Sequence, residues 1–130
     1  MTDTDILQHP YDAVNAFHEA FDLPRSTAPA LPGTAVRDLR KSLLAEEWQE
    51  YLTAESEDDI VEIADALADM IYIACGTAVA YGIPLDKVFA EVHHSNMAKL
   101  VDGKVIRRED GKVLKPAGWK PPDVKGVMGL

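Results

Sequence analysis

Apolar positions recur at helical spacing in four stretches of the chain, and no stretch alternates long enough to build a sheet. The first, Tyr11 to Phe21, has Pro10 near its first turn and Leu23-Pro24 beyond its end. Pro24, Pro29, Pro32 and Gly33 then crowd into ten residues and delay the second helix until about Thr34. That helix runs to about Glu55. On its wheel Val36, Leu39 and Leu43 share one face, and Glu47 and Glu50 continue it, with Glu46 at the margin. Acids therefore replace leucines on an inward stripe. Ser56 and Asp59 have capping-box spacing and predict a third helix that ends near Gly82, before Pro84. Its core face is expected to be Ile60, Ile63, Leu67, Ile71 and Ala74, with Glu62, Asp65 and Asp69 on the other side. Beyond Asp69 the helix is apolar all round, which predicts burial in a bundle or against a second subunit. A fourth helix is expected over about Leu85 to Leu100, burying Val88, Phe89, Val92 and Met97. After it, Asp102-Gly103, Asp110-Gly111, Lys115-Pro116 and Pro121-Pro122 predict an extended tail with one short hairpin.

The pattern gives an all-α fold of four helices in one domain, since 130 residues suit one core. Within it, 1–33 is the first helix and Pro-rich linker, 34–100 the central helices and 101–130 the tail. Composition adds an asymmetry. The formal charge is −9, yet nine of the thirteen Lys and Arg residues lie from Lys87 onward. So acidic a chain argues against duplex binding, and a basic tail facing an acidic middle suits a site that holds both metal and phosphate. The single cysteine, Cys75, lies in an apolar run and implies a reducing, cytoplasmic setting. Met1 to Leu7 lacks the character of a signal peptide, and the longest uncharged run, Met70 to Leu85, is too short to span a bilayer.

Between Lys41 and Lys87 there is no Lys, Arg or His, while eleven of the twenty-two acids fall there. Like charges three or four apart on a helix repel by roughly 0.2 to 0.5 kcal/mol per pair. Two such clusters, Glu46-Glu47-Glu50 and Glu62-Asp65-Asp69, imply a missing positive charge, and facing helices could deliver both sets to Mg²⁺ or Mn²⁺. A solvated acidic face is the simpler reading of any one cluster. Against it stand the inward position of Glu47 and Glu50 and the lack of interleaved bases. A di-iron centre needs two Glu-x-x-His elements, and only Glu91-x-x-His94 is present.

Glu47-x-x-Glu50, the run Asp65-Ala-Leu-Ala-Asp69-Met-Ile-Tyr72, the segment Ser95-Asn96-Met-Ala-Lys99 and the tail Lys112-Val-Leu-Lys115-Pro-Ala-Gly-Trp119 together resemble the MazG-like all-α nucleoside triphosphate pyrophosphohydrolases. That group includes phosphoribosyl-ATP pyrophosphohydrolase and the dimeric dUTPases, and the resemblance covers roughly Leu39 to Asp123. Members of the group usually carry Glu-x-x-Asp on the later helix. Aligning Asp69 with that Asp puts Ala66 where the Glu belongs, so Asp65 or Glu62 has to supply the carboxylate.

The resemblance implies a four-helix-bundle fold and hydrolysis of a dNTP, dUTP first, to the monophosphate and pyrophosphate, in a nucleotide-pool cleansing role. Two or three Mg²⁺ ions per site, with Mn²⁺ as a substitute, would be held by Glu46, Glu47, Glu50, Glu62, Asp65 and Asp69. Glu47, the most inward, is the expected general base. Asn96 and Lys99, one turn apart, would meet ribose or phosphate, and Lys112 and Lys115 would close over the phosphates. Trp119 would stack on substrate or anchor the tail, and Tyr72 would pack in the core or touch substrate. A homodimer or dimer of dimers is expected through the uncharged half of the third helix. A dGTP-preferring or broad-specificity enzyme, and a non-catalytic metal-binding or interaction module, are the alternatives.

Overall fold

A computed structural model describes residues 9–130, and Met1 to Leu7 lie outside it. The described chain is all-helical apart from two isolated bridges, with α1 Pro10–Ala20, α2 Thr34–Ser56, α3 Ile60–Tyr81, α4 Leu85–Met97 and a short α5 Val124–Val127. It divides into two compact units, one running to Leu85 and the other from Asp86 to Leu130.

In the first unit α1 and α2 both pack on α3. His9 caps α1 by accepting from the Tyr11 amide, and Pro10 fills the first-turn position that needs no donor. The cap of α3 differs from the expected one. Asp59, not Ser56, accepts from the amides of Val61 and Glu62 at 3.1 and 3.2 Å. Ser56 instead ends α2, its hydroxyl donating to the Thr53 carbonyl, because Asp58 turns the chain through positive φ before a cap can form. Gly82 ends α3 at φ 69°, and a Cβ there would overlap the Ala28 carbonyl. The Pro-rich linker closes over this end, with the Ser26 amide donating to the Val79 carbonyl and the Ala30 amide to that of Tyr81.

The core of this unit is small. Val14 of α1 meets Cys75 and Val79 of α3, with Tyr11 and Leu85 at the margin. The expected core face of α3 is corrected here: Ile60 is 74% exposed and Ile71 53%, and Leu67 and Ala74 are exposed as well. The buried positions are Ala66, Cys75, Gly76, Ala78, Val79 and Ala80, whose small side chains let helices approach closely. Leu39 of α2, also expected inside, is 56% exposed. By length and composition α3 could cross a membrane, but its first half carries Glu62, Asp65 and Asp69, and it serves α1 and α2 as their common packing partner.

In the second unit the segment after α4 folds back on that helix. Trp119 donates from Nε1 to the Ser95 carbonyl at 2.7 Å, the buried Ser95 hydroxyl donates to the Lys120 carbonyl, and the Asp123 amide donates to Glu91. Bridges Val101–Lys104 and Arg107–Val113 make the short hairpin-like turns expected of Asp102-Gly103 and Asp110-Gly111. Phe89 and Met97, expected to be buried, are largely exposed because α4 offers its covered side to the tail through Ser95 and Glu91.

Candidate functional site

The α2–α3 hairpin runs in a register that pairs residues seven apart on each helix. Arg40 lies against Gly76, and seven residues further along α2, and seven back along α3, Glu47 lies against Asp69. Glu47, Glu50 and Asp69 each offer an oxygen within 4.8 Å of the others. One oxygen of Glu47, Oε2, is shut off from solvent and has no hydrogen-bond partner. Among the described residues no Lys, Arg or His pairs with this set.

The electrostatic consequence falls mainly on Glu47. Its carboxyl is pushed up to about 7, first by desolvation, then by a proton shared with Glu50 and by the charges of Asp69 and Glu50. Asp69 is also raised, by desolvation and by the charges of Asp65 and Glu50, while the hydrogen bond from Glu47 works the other way. Without metal, Glu47 is therefore about half protonated at neutral pH. A divalent cation would replace that proton and satisfy Oε2.

The donor set fits such an ion. Oxygens around one hard cation at about 2.1 Å stand about 3 Å apart when adjacent and about 4.2 Å apart across it. The observed limit of 4.8 Å needs only small side-chain rotations. Glu46, Glu62 and Asp65 stand outside this tight set and line an adjoining groove of about 690 Å³ with Glu50 and Gln49. Of the two acids that could complete the later cluster, Asp65 acts directly on Asp69, whereas Glu62 lies further along the groove.

Tyr72, half exposed, meets the edge of Phe17 at 5.6 Å and lines an apolar cavity of about 300 Å³ with Pro10, Ala13, Val14, Ala68 and Ile71. It sits one turn above Asp69 on α3. In the second unit Lys99 and Lys115 hold their ammonium groups 5.3 and 4.9 Å from the Trp119 ring centre. Trp119 is thus an anchor with its indole N–H committed to α4. Asn96 and Lys112 are exposed.

Residues 14–96 match the model of a family described as phosphoribosyl-ATP pyrophosphohydrolase. The chain belongs to this family. The phosphoribosyl-ATP pyrophosphohydrolase family lies within the MazG-like all-α superfamily, in keeping with the helical fold and the carboxylate seam. A relative from Acanthamoeba polyphaga mimivirus, named "Uncharacterized protein L479", is 34% identical over 82 residues, a stretch covering 58% of this chain and 32% of the relative. The chain thus spans about a third of the length of the curated relative it matches.

Inspection of the sequence for acids alone passes over Arg40, Gly76 and Thr77. The signal was the same heptad offset that relates Arg40 to Glu47 and Asp69 to Gly76.

Proposed function

We propose that this chain is a Mg²⁺-dependent nucleoside triphosphate pyrophosphohydrolase that splits a dNTP, dUTP first, into monophosphate and pyrophosphate. The observation that carries this reading is the solvent-shielded, unpartnered Oε2 of Glu47 where its carboxylate converges with those of Glu50 and Asp69. Glu47, Glu50 and Asp69 would hold the first ion, and Glu46, Asp65 and Glu62 along the groove would hold one or two more. Bound Mg²⁺ supplies Lewis-acid polarisation of the α-phosphate and a lowered pKa for the attacking water. Glu47, ionised once the ion is bound, would take that water's proton on the carboxylate oxygen it does not give to the metal. Asn96, Lys99, Lys112 and Lys115 are assigned to the ribose and phosphates, with Trp119 ordering the lysines around it. Tyr72 and its apolar cavity are assigned to the base.

The exposed stripe of Ile60, Leu67 and Ile71 on α3 supports a homodimer or dimer of dimers. Its position shifts the proposed subunit contact from the upper half of α3, where Cys75 to Ala80 are largely buried, towards the lower half. The deciding assay incubates purified protein and Mg²⁺ with dUTP, the other dNTPs and phosphoribosyl-ATP. Pyrophosphate and a monophosphate from at least one of them are expected, and the ranking fixes the base. No product from any substrate would leave a non-catalytic module.

A further inference from the structure

We propose that Arg40 is a positioning residue for the carboxylate centre: it locks the α2–α3 register that sets Glu47 and Glu50 against Asp69. The inference rests on the metal-site reading above. Arg40 donates from Nη2 to the Ile73 carbonyl at 2.7 Å and from Nε to the Thr77 hydroxyl at 3.0 Å. The Thr77 hydroxyl in turn donates to the Ile73 carbonyl at 3.2 Å. No carboxylate among the described residues pairs with this guanidinium, so both observed bonds go to neutral acceptors on one turn of α3. Burial lowers its pKa, the mark of a charge held where water is scarce.

Room for it comes from Gly76. A Cβ at that position would overlap Arg40 Nη2 and stand 3.0 Å from both Arg40 Cζ and His18 Nε2. His18 closes the far side; it is 3% exposed, and its Nδ1 is 2.9 Å from the Pro24 carbonyl. A leucine on this stripe would pack without fixing axial position, because dispersion is non-directional. Two angled hydrogen bonds from one planar group fix both rotation and axial slip. The carboxylate centre lies seven residues along the same stripe, about 10 Å at helical rise. Slip at Arg40 is therefore transmitted along a rigid helix to the oxygens that must converge on one ion.

The test is Mn²⁺ affinity of the folded protein, read by electron paramagnetic resonance or calorimetry without substrate. Arg40→Met keeps the bulk and removes both bonds; Thr77→Val removes one; Arg40→Lys keeps the charge and loses the fork. Arg40→Met is expected to weaken Mn²⁺ binding by about tenfold, the lower end for groups that orient metal ligands. Thr77→Val should fall between it and the wild type, with Arg40→Lys recovering part of the loss and helical circular dichroism unchanged throughout. A purely structural role would lower the melting temperature and leave Mn²⁺ affinity alone, so affinity within twofold of the wild type in folded Arg40→Met overturns the proposal. If that variant does not fold, wild-type affinity in both Thr77→Val and Arg40→Lys overturns it equally. Wild-type protein that fails to bind Mn²⁺ overturns the metal reading itself, and this inference with it.

Discussion

Glu47→Gln swaps one oxygen for an amide in the place where three carboxylates converge, and its effect on stability should reverse sign with metal. Two full charges 4.8 Å apart, the outer limit of this cluster, repel by about 3.5 kcal/mol at an effective dielectric near 20. Water reaches the exposed Glu50 and part of Asp69, so the net relief from neutralising Glu47 is put at about 1 kcal/mol. That corresponds to about 4 °C in a chain of this size. The pH window follows from the raised carboxyl, which goes from an ordinary 4.5 to about 7. Between those values the folded chain keeps a proton that the unfolded chain has released, so metal-free wild-type stability falls as pH rises. Below the window Glu47 is protonated in both states and the variant gains nothing; above it the full difference stands. Saturating metal at about 100 times its dissociation constant should stabilise the wild type by about 2.7 kcal/mol and the variant far less. Thermal melts at pH 8 should therefore rank the variant above the wild type in EDTA and below it in Mg²⁺ or Mn²⁺. A variant that melts lower than the wild type in EDTA, or shows the same rise with metal, refutes the reasoning.

Mn²⁺ binding at pH 7 should release about half a proton from Glu47, measurable as the dependence of calorimetric heat on buffer ionisation, with affinity climbing from pH 6 to pH 8. Gly76→Ala should add about 1 kcal/mol of helix propensity on paper. It should nonetheless destabilise the chain in urea titrations, because the new methyl evicts Arg40 from its two hydrogen bonds; a net gain would show that those bonds are dispensable. Gly82→Ala should cost at least about 1 kcal/mol, combining left-handed strain with overlap on the Ala28 carbonyl. Wild-type stability in that variant would mean that the linker does not depend on this turn.

The helices were legible because their punctuation is chemical: Pro10, the Pro24–Gly33 run, Gly82 and Pro84 bound most of their ends, whereas α3 starts at Ile60 rather than just after Ser56 and α4 stops at Met97, three residues short of the expected Leu100. Glu47 and Glu50 of the first carboxylate set were legible for a related reason, since they continue an apolar stripe, whereas Glu46 stands outside the tight set. The apolar face of α3 was not. A helix apolar on every side offers no moment to choose a face, and large residues attracted the assignment, whereas the chain buries small ones where α1 and α2 approach. Asp59 prevailed over Ser56 as a cap through the positive φ of Asp58, a backbone choice that spacing alone does not encode. Arg40 was hidden because helix-wheel reasoning treats a lone cation as solvent-facing, while a glycine across the seam gives it a seat.

The unpaired oxygen on Glu47 has a consequence for the protein's life in a cell. Leucines along positions 40, 47, 50 and 69 would knit the hairpin better and erase its chemistry, so the stripe trades packing for ligation. On the proposed reading the metal-free chain is the less durable one, and local opening at this hairpin feeds proteolysis in proportion to its population. Divalent-cation supply would then set how long each copy survives as well as how fast it works.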